Sequence, residues 1–502
     1  MAGIGFELKK LFTRRELAYR LRAYAISSIV TVGPMLACMM MIIGAQLVMK
    51  AWEGPLSERE LLFGGAVYAF VCSYIIVSIY QMMTTRAVSD MLYEQRYEQI
   101  LPSVYAGLIW SLTPALLIGG AFVIWAPLSF GYKLALYLFF VQLVVIWHLG
   151  VYVTALKHYG YVFGAFAVGG IVGTLNCVLW PFITGSLSAA AMLWMLNIGI
   201  CCTLLGLAYA VERQFGGRLP STKGATGTID ATSATGATSA AGVTRKGDLS
   251  ADKRLSDEAR SYSLVQWMRR YPSLMGIGFM MALGLYTHQI VQWIKNEGIW
   301  VEGVFRMSPA YDLPVYYAFL TTIPTLVLFV VALETSFYPK CRQYYETVLG
   351  QGSMREIEQA RRDMSQVLVY EVSLLMGIQL FFTILSIAFA VRLLPFFGFT
   401  STMIEAFNIL ALSFFAYTLF MVIVLVLLYF DDRKGVFALS AIMLACSATF
   451  SILFDNVDTS FAMFTASFIA LTLSLGRLRY VIRHLHYYTF SAQPIVIKRT
   501  PL

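Results

Sequence analysis

Fixed charge is scarce in this 502-residue chain. Only 13% of its residues are Asp, Glu, Lys or Arg, against roughly 25% in a soluble domain. Hydrophobic residues make up 58% and mean hydropathy is +0.69, a balance that excludes a soluble fold. Histidine is rare too. The five present (His148, His158, His288, His484, His486) include no pair with a Glu between them at metalloprotease spacing, and no Gly-rich phosphate loop ending in Lys occurs. Metal-dependent hydrolysis and ATP hydrolysis by the chain itself therefore find no support, and no cofactor is implied. The seven cysteines contain no Cys-x-x-Cys pair, so they read as small buried apolar side chains, with no sign of a disulfide or metal framework.

What the chain has instead is twelve long apolar stretches, none with Lys or Arg in its interior. They lie near 24–49, 61–83, 104–125, 134–155, 161–183, 186–211, 274–294, 313–332, 367–391, 404–429, 436–454 and 461–475. About 20 apolar helical residues cross a hydrocarbon core of roughly 30 Å, and all but the last stretch approach or exceed that length. Lipid offers the backbone no hydrogen bonds, and the runs are too uniformly apolar for alternating barrel strands, so helices follow. If the N-terminus is cytoplasmic, all 37 Lys and Arg lie inside except Lys50, Arg59, Lys133, Lys295, Arg306 and Arg392. Both termini are thus expected inside. The net charge of +9 reads as this topology signal and as attraction to anionic lipid, not as a nucleic-acid footprint.

The predicted architecture is an all-α polytopic membrane protein: a cytoplasmic amphipathic segment (1–22), a six-helix bundle (23–211), a cytoplasmic connector (212–272), a second six-helix bundle (273–478) and a basic cytoplasmic tail (479–502). Ile4, Leu8, Leu11 and Phe12 share one face of the first segment, opposite Glu7, Lys9, Lys10 and Arg14, as in a helix lying on the inner surface. The Arg14-Arg15 pair is a poor export signal, because the apolar run after it is too long. The connector's middle, Gly224–Gly242, is mostly Ala, Thr, Gly and Ser, too small and polar to bury a core, and reads as a disordered tether.

The halves repeat one detail: the second and eighth stretches each run into an amphipathic elbow, over 84–103 and 335–364, the latter containing a Gly350-Gln-Gly352 break and a second basic helix. Matching positions predict two parallel six-helix repeats with a pathway at their interface. Breakers fall in corresponding stretches: Gly33-Pro34 in the first, Gly276, Gly278 and Gly284 in the seventh, Pro324 in the eighth. They are candidate hinges, although ordinary kinked packing accounts for any one of them equally well. Gly160-x-x-x-Gly164 and Gly169-x-x-x-Gly173 read as close helix packing.

A charge at bilayer depth is costly and usually functional. A pyrophosphate-linked sugar would want interior Lys or Arg, and a cation exporter would want interior carboxylates. The stretches offer only Glu371, with Glu334 and Glu405 at edges. A neutral, hydroxyl-rich substrate suits this inventory, since amides and hydroxyls bind sugar hydroxyls while aromatic rings cover a pyranose face. The candidate lining set is Ser27, Ser28, Thr31, Tyr74, Gln81, Tyr286, His288, Gln289, Gln292, Tyr316, Tyr317, Thr321 and Thr322. His288 could carry a proton, but with neutral Gln289 and Gln292 nearby and no carboxylate beside it, it reads better as a polar lining group. His148, an intramembrane ionisable group with Glu371, is expected to hydrogen-bond between helices with Gln142, Asn176, Asn197 and Asn408. Arg86 is expected at anionic lipid, with Glu371 or Glu334 as alternatives.

Several words in the sequence resemble the inner-membrane transporter family of the Pel exopolysaccharide system, PelG. They are Met1-Ala2-Gly3-Ile4-Gly5-Phe6-Glu7-Leu8-Lys9-Lys10-Leu11, Ser89-Asp90-Met91-Leu92-Tyr93, and Pro309-Ala310-Tyr311-Asp312-Leu313-Pro314 leading through Thr322-Ile323-Pro324 to Glu334-Thr335-Ser336-Phe337-Tyr338. The resemblance covers both halves but skips the Ala/Thr-rich insert. It implies membership of the multidrug/oligosaccharidyl-lipid/polysaccharide (MOP) exporter superfamily, a MATE-like pair of bundles, the bacterial inner membrane, and export of an uncharged N-acetylgalactosamine-rich polymer. It also implies partners: a cytosolic glycosyltransferase and inner-membrane Pel proteins including a cyclic-di-GMP receptor. A lipid-linked oligosaccharide flippase or multidrug antiporter stays open, as does a scaffold that recruits the glycosyltransferase.

Overall fold

The computed structural model describes residues 40–153, 159–185, 187–215, 264–295, 298–350, 352–454 and 459–491. The N-terminal amphipathic segment, Ser27, Ser28, Thr31, Gly33, Pro34 and the Ala/Thr-rich insert lie outside the described residues. Among these, eleven helices are long and apolar enough to cross a membrane, and a shorter apolar helix, α1 (Met40–Ala51), forms the end of the first predicted stretch.

The first half continues with α2 (Leu56–Tyr93), α3 (Ile100–Trp125), α4 (Phe130–Val153), α5 (Tyr159–Thr184) and α6 (Ala189–Phe215). Helix α4 packs against α2, α3 and α6, and α5 lies along α6. In lipid such contacts rest on close packing and interhelical hydrogen bonds, because the hydrophobic effect does not distinguish a tail from a Leu. Both devices are present. A Cβ on Gly199 of α6 would stand 2.5 Å from Gly173 Cα and 2.7 Å from the Gly169 carbonyl on α5, so the second small-residue pair does bring two backbones together. Gly164 of the first pair meets nothing within 4 Å. Tyr132 donates to the Leu61 carbonyl at 2.8 Å and Asn197 to the Ala135 carbonyl at 2.8 Å. His148 is a buried interhelical link as expected, 3.2 Å from the Val104 carbonyl and 3.5 Å from Ser111 Oγ on α3.

The second half comprises a short α7 (Leu264–Arg270), α8 (Pro272–Ile294), a hairpin of β1 (Ile299–Val301) and β2 (Phe305–Met307), then α9 (Pro309–Leu320), α10 (Ile323–Ala332), α11 (Tyr338–Leu349), α12 (Met354–Leu393), α13 (Ser401–Tyr429), α14 (Arg433–Leu453), α15 (Thr459–Arg483) and α16 (Leu485–Ser491). Helix α8 packs on α14, α13 on α9 and α15, and the two halves meet chiefly where α8 runs along α2.

Three features differ from the sequence reading. The first elbow is the straight continuation of α2, which ends only where Gln95 turns to a φ of 60°. The separate basic helix expected after Gly352 is the opening of α12: a capping box between Ser353 and Glu356 starts a helix of 40 residues, and no Pro interrupts it before Pro395. Arg86 pairs with Asp90 one turn along, at 3.2 Å, and not with Glu371.

The candidate hinges divide. Helix α8 is unbroken, and its glycines serve contact: Gly278 lies against the Ser78 carbonyl of α2, and a Cβ on Gly276 would sit 2.9 Å from the Phe437 ring. The eighth stretch does break, at Thr321-Thr322, because Pro324 cannot donate to the carbonyl four residues before it. Thr321 and Thr322 hydroxyls turn back to the Ala318 and Phe319 carbonyls (2.7 and 2.8 Å), and Gln379 of α12 donates to the Thr321 carbonyl at 3.2 Å. A π-helical turn, Leu333–Phe337, follows before α11.

Candidate translocation interface

Side chains from both halves enclose a small cavity of about 50 Å³ where α1 and α2 face α8, α9 and α13. Its polar lining comes from one patch of the second half: Tyr286, His288 and Gln289 of α8, and Asp312 and Tyr316 of α9. The spacing on α8 explains the patch. Gln289 and Trp293 are one turn apart and so share a face, and both reach Asp312.

Asp312 was not anticipated as an interior carboxylate. The eighth apolar stretch reads as starting at Leu313, which leaves Asp312 outside the membrane; in the structure α9 begins at Pro309 and Asp312 is 1% exposed. The expectation that no carboxylate lies beside His288 and Gln289 is therefore overturned. Gln289 Nε2 donates to Asp312 Oδ1 at 2.8 Å, the Trp293 indole N–H stands 3.1 Å from both oxygens, and the Ser308 backbone N–H donates to Oδ2 at 3.1 Å. The group also lies in the first turn of its helix, where the dipole favours negative charge. Neutral donors thus satisfy this buried carboxylate. A signal was present in the sequence: Ser308-Pro309 is a helix start, and an acid in the first turn belongs with the helix.

His288 is likewise 1% exposed and shares a 2.7 Å hydrogen bond between Nδ1 and the Tyr311 hydroxyl. Tyr74 of α2 meets Tyr286 edge-on at 6.0 Å across the two halves. Tyr316 and Tyr317 line a second cavity of about 170 Å³ between α1 and α2 on one side and α9 on the other, with Gln46, Lys50, Arg59, Glu60, Phe397 and Phe399. Ile42 and Tyr316 border both cavities. The Tyr317 ring stands 5.1 Å from Phe399 and 5.8 Å from Phe397. The structure therefore gathers Tyr286, His288, Gln289, Tyr316 and Tyr317, with Tyr74 beside them. Thr321 and Thr322 are spent on the helix break. Gln81, the buried Gln292 and the half-buried Glu371 line neither cavity. No group of three or more His, Cys, Asp or Glu suited to a metal occurs among the described residues.

The fold recurs in known transporters. The chain superposes on a mutant of the Vibrio cholerae MATE transporter VcmN with a TM-score of 0.60, at 13% identity over 97% of this chain and 100% of that one. It superposes on an outward-facing multidrug resistance MATE family transporter of the MOP superfamily with a TM-score of 0.59, at 12% identity over 92% of this chain and 96% of that one. A MOP superfamily transporter from Pyrococcus furiosus matches with a TM-score of 0.55, at 12% identity over 92% of this chain and 96% of that one. No curated protein matches the chain in sequence. Eleven apolar helices long enough to cross a membrane make it a multi-pass membrane protein, with the fold of these MOP-type transporters. Residues 1–238 and 253–490 match the family described as "PelG: Putative exopolysaccharide Exporter (EPS-E)", and the chain belongs to that family.

Proposed function

We propose that the chain carries an uncharged, N-acetylgalactosamine-rich exopolysaccharide, the Pel polymer, from cytosol to periplasm between its two bundles in the bacterial inner membrane. It would work with a cytosolic glycosyltransferase and with inner-membrane Pel proteins that include a cyclic-di-GMP receptor. The observation that supports this reading is the lining of the two neighbouring cavities, which have Ile42 and Tyr316 in common. Tyr316 and Tyr317, with Phe397 and Phe399, offer aromatic faces beside Gln46. In the central cavity one amide, an imidazole and two phenol hydroxyls stand among apolar side chains, and the carboxylate already has its oxygens engaged by Gln289, Trp293 and Ser308. Such a surface stacks on sugar rings and bonds to hydroxyls with little fixed charge to neutralise. Lys50, Arg59 and Glu60 lie at the outer ends of their helices and not at bilayer depth.

The twelve-helix count, cytoplasmic termini and hinge roles for Pro324 and Gly33-Pro34 belong to the same proposal. Deleting the gene should abolish extracellular amino-sugar polymer while synthase activity persists in cell extract. Replacing Tyr316 and Tyr317 together by Ala at normal protein level should reproduce the defect. Normal secretion from that variant would overturn the path, and a normal path variant with a deletion defect would favour a scaffold.

A further inference from the structure

A neighbouring seam between α2 and α8 has a different chemistry. A cavity of about 490 Å³ opens there, within the range of roughly 300–1,000 Å³ that holds a small ligand. Its walls are apolar: Val71 and Ile75 on α2, Ile290 and Ile294 on α8, and Val304 of the hairpin. Its floor is the stacked pair Tyr68 and Trp293, with ring centroids 4.2 Å apart.

Arg306 of β2 is the cation lining this cavity. The hairpin holds it in place: Tyr68 donates to the Arg306 carbonyl at 2.8 Å, and Arg306 Nη1 donates to the Ile294 carbonyl at 2.8 Å. The guanidinium lies 5.7 Å from the ring of Trp300, which is 62% exposed. Arg306 Nε is buried without a hydrogen-bond partner, and among the described residues no carboxylate lies within ion-pairing distance of the side chain.

We propose that this seam is a binding site for an anionic phospholipid of the outer leaflet, with the phosphate on Arg306 and one acyl chain between α2 and α8. Three observations converge on that occupant. The walls that meet the bilayer interior carry aliphatic side chains, which suit an acyl chain and offer a sugar nothing to bond. The cation is an Arg, whose planar fork matches phosphate, and among the described residues it has no counter-charge. Trp300 sits beside it at the outer end of the helices, as aromatic residues do at headgroup level. The site differs in kind from the aromatic and amide-bearing seam between α1, α2 and α9, and it stands whatever polymer the protein exports.

The test is native mass spectrometry of the full-length protein titrated with phosphatidylglycerol or phosphatidylcholine, in parallel with thermal stabilisation by each lipid. Phosphatidylglycerol should be retained about tenfold better than phosphatidylcholine, because the choline trimethylammonium offsets the phosphate charge that Arg306 meets. Arg306→Gln should bring the two lipids level, and Arg306→Lys should keep the preference in part. Because Arg306 also anchors the hairpin, Ile75→Phe provides a second variant: it fills the apolar wall, leaves Arg306 untouched, and should lower retention of both lipids. Equal retention of the two lipids by the unaltered protein, a preference that survives Arg306→Gln, or retention that Ile75→Phe leaves unchanged would overturn the site. Displacement of bound phosphatidylglycerol by an N-acetylgalactosamine oligomer, with Arg306-dependent retention of that oligomer, would overturn it in favour of a sugar site.

Discussion

Asp312 offers the most direct check on how the interface is built. Replacing it by Ala strands the Gln289 amide, the Trp293 indole N–H and the Ser308 backbone N–H. Each abandoned buried donor costs about 1–3 kcal/mol. The carboxylate's own desolvation is regained, which offsets part of the sum, so a net loss of about 2–4 kcal/mol is expected. Asp312→Asn should cost less, about 1–2 kcal/mol. Its amide oxygen can still accept from Gln289 and Trp293, while its NH2 meets the Ser308 N–H, donor against donor. If these bonds are the reason, removing both sides of one should hurt less than the single changes predict. Asp312→Leu combined with Gln289→Leu should therefore show a coupling of about 1–2 kcal/mol. Unfolding in mixed micelles, followed by tryptophan fluorescence, reads all three values. An Asp312→Ala protein as stable as the unaltered one, with no coupling to Gln289, would refute the assignment of Asp312 as a carboxylate held by neutral donors.

Gly199→Leu should separate α5 from α6 and lower the yield of folded protein, because its Cβ alone would stand 2.5 Å from Gly173 Cα; a thermal midpoint equal to the unaltered protein's would contradict the close approach. His288→Gln should retain most export across the tested pH range, since an amide can still bond to the Tyr311 hydroxyl; a complete loss with correctly inserted protein would make His288 a proton carrier. An epitope inserted at Thr232 should be tolerated and should meet protease only in inside-out vesicles; access from the periplasmic side would reverse the topology. Arg477→Ala should destabilise by about 2 kcal/mol, because Asp432, bonded to it at 2.7 and 2.9 Å and only 3% exposed, would lose its partner; unchanged unfolding in the same micelle assay would show that water replaces the pair.

Hydropathy alone makes the spanning helices legible, because a run of 20 apolar residues has few alternatives in water or lipid. Tyr316 and Tyr317 were legible for a related reason: polar tips within an apolar run must find the interior. Asp312 was not, since hydropathy ends a stretch at the first charge, whereas the burial of that charge depends on Gln289 and Trp293, which stand 23 and 19 residues away in sequence. The glycines of α8 misled in the opposite direction. Gly278 marks the line where α2 passes, and sequence cannot tell a contact from a kink until the neighbour is known. The hairpin of Ile299–Val301 and Phe305–Met307 left a weak trace, a Glu-Gly turn with φ of 49° and 66° between short β-prone runs, overshadowed by the helical signal on both sides.

The chemistry around Asp312 bears on the substrate more than the carboxylate itself does. An interior negative charge facing an open cavity would attract cations and repel an anionic polymer. Here the oxygens point at an amide, an indole and a backbone N–H, and the imidazole of His288 is bonded to Tyr311 instead. His288 and Asp312 of the central cavity are thus each engaged by a neutral partner, and among the described residues no hydrogen bond joins the two into a ready proton relay. That arrangement lets the carboxylate act as a staple between α8 and α9, holding Gln289 and His288 at fixed positions on the cavity wall. Tyr68 lies stacked on Trp293 across the interface between the halves. The stack and the Asp312 bonds thus tie α2, α8 and α9 together at this point, whereas α10 starts only after the break before Pro324.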